Sequence, residues 1–191
     1  VYGDFDDGER FAYFSKAVMA ALYFLDFKPD ILHCHDWQAA MTPVYLRALY
    51  HDWCPQTKLV FTIHNVEYQG KYGPETVEDL FGLNRGWYDG GILRMDGCVN
   101  LMKGAILASS QVTTVSPTYA QELHTPFYAH GMDGVICQQD GKFCGIVNGI
   151  DMDLYDPATC ADLPEHYSAK DVSGKAACKA ALQRAMGLQE D

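Results

Sequence analysis

The period of hydrophobic positions changes several times along this chain, and each change marks an element. Phe11, Phe14, Val18, Leu22 and Leu25 recur every three or four residues, so the spacing predicts an amphipathic helix over 9–27. Pro29 follows as a stop signal. Short apolar runs at Ile31 and Leu32 and again over 59–63 read as buried strands. Between them, residues 37–50 predict a helix, with Pro43 early enough to be tolerated near its first turns. Further on, the pattern predicts a helix over 100–109, a strand over 112–115, and a helix over 117–123 with Pro117 near its first position. A short helix over 132–138 and a strand over 143–147 running into NGID come next. Residues 158–168 read as surface loop, and 170–186 as a charged, Ala-rich helix with Gly187 just past its end. Residues 66–99 show no clear period. They scatter Gly70, Gly73, Gly82, Gly86, Gly90, Gly91 and Gly97 among aromatics, the mark of a functional loop or a small subdomain. The alternation of strand and helix predicts an α/β, Rossmann-like fold: a mostly parallel sheet with helices on both faces.

Composition narrows the picture. The 191 residues suit one domain or one large half of a two-domain protein, and 48% hydrophobic residues suffice for a core. No run approaches the ~20 apolar residues of a membrane span. The opening VYGDFDDGERF has neither the basic start nor the apolar stretch of a signal peptide, and no initiator Met, so the chain reads as a piece of a longer protein. A net charge of −11 repels phosphate backbones and anionic lipid. Nucleic acid and membrane are therefore poor partners, while neutral polymers such as polysaccharides stay open. Seven cysteines with no CxxC argue against a disulfide framework and a zinc ribbon, and point to a reducing cytosol.

Two segments carry the candidate chemistry: HCHDWQAA, from His33 to Ala40, and FTIHNVEYQG, from Phe61 to Gly70. Each begins in an apolar run and ends in polar, ring-bearing residues. Ligands of open α/β sheets bind outside the carboxyl ends of the strands. Two adjacent strand ends bearing His35, Asp36, Trp37, His64 and Asn65 would form one polar crevice. Each residue also has a plainer reading. Asp36 could cap the following helix, Trp37 could pack under it, His64 could be a satisfied core histidine, and Asn148 in NGID reads as a turn residue. Cys34, inside a strand run, reads as a small hydrophobe. His33 and His35 share a face of a regular strand, which leaves a metal hydrolase as an alternative reading. His64 is the only clear further ligand.

Several longer stretches, in order, carry a resemblance: PDILHCHDWQAAMTPVYL, VFTIHNVEYQGKYG, NLMKGAILASSQVTTVSPTYAQEL, GMDGVI and GIVNGIDMDLYDP. Together they resemble bacterial glycogen synthase and plant starch synthase, the retaining ADP-glucose glucosyltransferases of glycosyltransferase family five. The resemblance covers nearly the whole chain. It implies the GT-B architecture, of which residues 1–191 are a partial N-terminal Rossmann-like domain. The family's Lys-Thr-Gly-Gly-Leu loop and its C-terminal nucleotide-sugar-binding domain do not occur in this sequence. The implied reaction moves glucose from ADP-glucose to the non-reducing end of an α-1,4-glucan, with retention and with no metal ion or other cofactor.

The resemblance also implies roles. His64 matches the histidine that hydrogen-bonds the donor glucose. Asp36 and Trp37 match the acceptor-side HDW positions, and Asn148 matches the NGID asparagine near the donor. Tyr68 and Gln69 line the same loop. Gln38 departs from the commoner HDWH pattern: it can hydrogen-bond but not titrate. The isolated chain is expected to be inactive, because the basic residues facing the leaving diphosphate belong to the missing parts. The expected location is the cytoplasm, or a plastid for a plant sequence. A glucan-binding module without catalysis is the alternative of a different class.

Overall fold

The computed structural model describes residues 3–190. The chain divides into two compact units, one ending at Val147 and the other beginning at Asn148.

The first unit is built on a four-stranded sheet of β1 (Ile31–His35), β2 (Lys58–Ile63), β6 (Gln111–Thr114) and β7 (Phe143–Gly145). The strand order is β1-β2-β6-β7 and every pairing is parallel. The register sets Cys34 beside Phe61 and Phe61 beside Val112, so these side chains share a face. That face is the dry one: Leu59, Phe61, Ile63 and Val112 are fully buried. Burying each of these large side chains stabilises by about 1.5–3 kcal/mol relative to exposure. The opposite face carries Ile31, His33 and His35 on β1, all exposed, and Thr62 and Thr113 on the interior strands, both buried. His33 and His35 thus share the open face, as a regular strand requires, and β1 is an edge strand with a neighbour on one side only.

The predicted helix at the start runs from Asp7 to Phe24 (α1). Its buried stripe is Ala12, Ser15 and Met19, with Phe11 and Leu22 half-buried, while Phe14 and Leu25 of the predicted stripe are exposed. Apolar residues ring this helix, and only those on the side of Ala12 and Met19 are buried. After β1, the single helix expected over 37–50 is three pieces. A 3-10 turn at Trp37–Ala39 leads to α2 (Met41–Tyr45), which widens into a π-helical turn at Leu46–Tyr50.

The segment without a period holds a small antiparallel sheet of β3 (Lys71–Tyr72), β4 (Arg94–Met95) and β5 (Cys98–Asn100), in the order β3-β5-β4. Short helices α3 (Thr76–Asp79) and α4 (Gly86–Asp89) fill the connection. Helix α5 (Leu101–Ala108) is capped at its start by Asn100, whose Oδ1 accepts the Lys103 N–H at 2.9 Å. At its other end the Lys142 ammonium donates to the Ile106 and Ser109 carbonyls, both at 2.8 Å. Burial and the nearby Arg47 push the Lys142 pKa down. Helix α6 (Pro117–Glu122) has Pro at its first position and is capped by Ser116, and α7 (Pro126–Ala129) and α8 (Asp133–Gln138) follow. Gly145 packs so closely on the Ser116 carbonyl that no Cβ could fit.

The second unit contains α9 (Lys175–Ala185), which starts later than the predicted 170 and has no buried residue. Gly187 follows it with φ +66°, the left-handed turn expected there. Among the described residues, no helix is long and apolar enough to cross a membrane.

Candidate functional site at the carboxyl ends of β1 and β2

Where β1 ends, the chain turns sharply. Asp36 has φ +55° and ψ −180°, a region that side-chain-bearing residues avoid and that costs about 1–3 kcal/mol. Its backbone N–H still continues the ladder, donating to the Thr62 carbonyl at 3.0 Å. Its carboxylate makes no helix cap. Oδ1 instead accepts the backbone N–H of His64 at 2.7 Å, tying the end of β1 to the residue just past β2. Asp36 and His64 thus share one edge of the sheet, as the sequence predicted.

The rings form a column. His33 Nε2 lies 2.7 Å from Thr62 Oγ1, and Thr62 Oγ1 lies 2.7 Å from Thr113 Oγ1. The His33 and His35 rings stack with centroids 4.2 Å apart and planes inclined by 32°. His35 Nδ1 and His64 Nε2 are 3.0 Å apart. Burial lowers the His35 pKa, with His33 and His64 acting in the same direction and Asp36 opposing them. The charged form of His35 is disfavoured in consequence. Cys34, between the two histidines in sequence, faces the dry side. Burial pushes its thiol up to about 12, against a smaller opposing hydrogen bond with Thr42.

Trp37 is 7% exposed. Its ring meets Phe11 edge-on at 5.1 Å and lies 6.4 Å from the Tyr72 ring. A Cβ on Gly70, which has φ +65°, would come within 2.8 Å of it. Packing claims most of this ring. Tyr68 is 46% exposed. Gln69 turns inward at 3% exposure. Its Nε2 donates to the Val66 and His130 carbonyls, both at 3.0 Å, and its Oε1 accepts from Asn100 Nδ2 at 2.8 Å. Its amide is spent holding the loop onto α5. Asn65 is exposed and accepts the Glu67 N–H at 2.9 Å, shaping the turn after His64. Asn148, the first residue of the second unit, is exposed.

Two concavities flank these residues. A 40 Å³ cleft is lined by Asp36, Trp37, Gln38, Asn65 and Tyr68. A broader groove of about 570 Å³ includes Trp37, Tyr68, Gly70 and Tyr72, and on its other wall Phe5 and Asp7. Apolar ring surface beside carboxylates and backbone groups suits a polar ligand with apolar faces, as a sugar has. For the metal reading, His33 spends Nε2 on Thr62, and His35 and His64 spend a nitrogen on each other. Among the described residues the one group of three or more potential ligand side chains close together is Asp4, Asp6 and Asp7, which already pair with Arg10.

Sequence reasoning missed Thr62 and Thr113. The period-two pleat of β2 puts Thr62 opposite Phe61 and Ile63, the one available signal.

Residues 1–138 match the family described as starch synthase catalytic domain. The glycogen synthase of Streptococcus agalactiae serotype Ia is 50% identical over 194 residues, a match covering 100% of this chain and 40% of that protein. The glycogen synthase of Streptococcus mutans serotype c is 49% identical, covering 98% of this chain and 40% of that protein. Among solved structures, the catalytic domain of Starch Synthase IV from Arabidopsis thaliana bound to ADP and acarbose superimposes with a TM-score of 0.82 at 40% identity. That match covers 98% of this chain and 39% of the plant chain. The chain therefore spans about 40% of the length of the relatives it matches.

Proposed function

This chain belongs to the starch synthase catalytic domain family, and from that premise we propose that it is the donor- and acceptor-facing part of a glucosyltransferase. In this reading residues 1–191 are a partial N-terminal Rossmann-like domain of a GT-B enzyme. The enzyme moves glucose from ADP-glucose to the non-reducing end of an α-1,4-glucan, with retention, in the cytoplasm. The observation that carries the reading is the bond between Asp36 Oδ1 and the His64 N–H, which brings the two motifs to one edge of the sheet.

His64 contacts the donor glucose, where an oxocarbenium-like transition state develops. Asp36 stands on the acceptor side, its second carboxylate oxygen available to a sugar hydroxyl. Trp37, largely packed away, supplies an apolar wall, and the more exposed Tyr68 supplies ring surface. Gln69 acts through the loop it anchors. Asn148 is a donor contact on the strength of its motif. The leaving ADP needs positive charge. This segment has 14 Lys and Arg against 25 Asp and Glu. Lys103, within the matching motifs, donates to the Arg94 carbonyl at 2.7 Å. Its pKa is lowered by burial and by Arg94, with Asp96 opposing. In this reading the phosphate-facing cations are supplied by the parts of a synthase that this segment does not match.

The test is ADP release from ADP-glucose with glycogen as acceptor. In a full-length synthase carrying this segment, His64→Ala is expected to cut turnover by roughly a hundredfold or more, the scale of one well-placed transition-state contact. Unchanged turnover in a folded variant contradicts the role. The isolated chain is expected to release no ADP and to bind glucan only near millimolar, since an open half-cleft buries little of a sugar. Turnover by the isolated chain comparable to the full-length enzyme would overturn the division of labour.

A further inference from the structure

We propose that His35 is a positioning residue that fixes the tautomer of His64, so that His64 presents a bare Nδ1 lone pair and accepts a hydrogen bond from a sugar hydroxyl. The inference rests on the reading of His64 as the donor-sugar contact. The His35 and His64 centroids are 5.3 Å apart, and the facing nitrogens 3.0 Å. The difference is about the sum of two ring radii, so the nitrogens point at each other along the line of centres. That is the geometry of one N–H···N hydrogen bond. Two nitrogens chelating a metal would instead aim their lone pairs at a common point off that line.

The partner ring is itself fixed. His35 has one face against His33, and His33 is anchored through Thr62 to Thr113 on the interior strands. Asp36 holds the backbone of His64 from the other side. Both the backbone nitrogen and Nε2 of His64 are thus engaged, and Nδ1 is the edge left for a ligand.

Proton placement follows. The groups facing His35 are His33, His64 and Asp36, and burial together with the two histidines disfavours its charged form against the opposing Asp36. Neutral imidazole prefers the Nε2–H form. With both rings in that form, His64 donates Nε2–H to the His35 Nδ1 lone pair, and the tautomer of each is set by the bond the other makes. His64 Nδ1 then carries a lone pair and no proton. It takes a hydroxyl donor and turns away a phosphate or carboxylate oxygen, which has no proton to give. The histidine thereby selects the sugar rather than the diphosphate of the donor.

The test uses the chain with ¹⁵N-labelled histidine near neutral pH. Long-range ¹H–¹⁵N spectra are expected to show His64 protonated at Nε2 and bare at Nδ1, with a coupling across the hydrogen bond to His35 Nδ1. In His35→Ala, exchange of the His64 ring proton with solvent is expected to rise about tenfold, the weight of one hydrogen bond. In His35→Gln, whose amide oxygen can accept, slow exchange is expected to return. A merely structural role for His35 would not follow the acceptor in this way. A His64 protonated at Nδ1 or exchanging between tautomers in the unsubstituted chain overturns the proposal, and so does unchanged ring exchange in a folded His35→Ala. These readouts need no turnover. Absence of ADP release from the full-length enzyme would sink the transferase reading while leaving the ring pairing measurable.

Discussion

β1 and β2 are adjacent in one parallel ladder and nearly equal in length, yet they do opposite work. β2 has a neighbour on each side and buries Leu59, Phe61, Thr62 and Ile63. β1 has one neighbour and leaves Ile31, His33 and His35 exposed, burying only Cys34. Each strand delivers a histidine at or just beyond its carboxyl end. The contrast shows how a sheet separates its duties. The interior strand supplies stability and fixes the register, and the edge strand can then spend its open face on rings.

The comparison breaks most visibly if the interior strand is hollowed. Phe61→Ala is expected to cost about 3–5 kcal/mol, whereas Ile31→Ala on the exposed face should stay within about 0.5 kcal/mol. Urea unfolding of the first unit measures both. Similar costs for the two would mean that β1 is not the lesser partner.

A smaller effect tests the link between the strands. Thr62→Val removes the hydroxyl that joins His33 to Thr113 and leaves the buried Thr113 hydroxyl without this partner. About 1–3 kcal/mol is expected. Thr62→Ser should recover most of it, and if it recovers none, packing of the methyl rather than the hydroxyl is the operative contact.

Asp36 comes next. Asp36→Ala loses the bond to the His64 N–H while keeping the unfavourable backbone, and a loss of about 1–2 kcal/mol is expected. Asp36→Asn keeps an acceptor and tolerates the left-handed side, so it should stay within about 0.5 kcal/mol by the same measurement.

The smallest effect is in pH. The folded chain holds His35 below its ordinary value of 6.5. The unfolded chain therefore takes up the proton first, and stability from this group is full above about 6.5 and falls as the pH drops from there through the folded value. His35→Gln should flatten that part of the profile in thermal melts between neutral and mildly acid pH.

Much of this contrast was legible in the sequence. ILHCH and the run over 59–63 placed both strands to within a residue, and the strand-end rule placed Asp36 and His64 together. The pairing of His35 with His64 was not legible, because it depends on the register between strands 29 residues apart. For Trp37 the sequence left packing and ligand contact both open, and Phe11 and Gly70, from other elements, bring the packing about. The small antiparallel sheet escaped because strands of two or three residues are too short to show a period of two. The same limit applies to Gln69: nothing local distinguishes an amide facing a ligand from one facing three protein partners.

The orientation of Cys34 has a practical consequence for chemical labelling. This cysteine lies inside the most chemistry-rich motif of the chain, yet its sulfur faces the dry side of the sheet and its thiol is pushed up to about 12. Alkylating reagents act on the thiolate, which Cys34 does not supply at physiological pH. Cys137, on the surface, is the cysteine such reagents reach most readily. Covalent modification of the native chain therefore begins at the surface near α8, ahead of the half-buried Cys98, Cys144, Cys160 and Cys178, and leaves Cys34 beside the histidine column untouched.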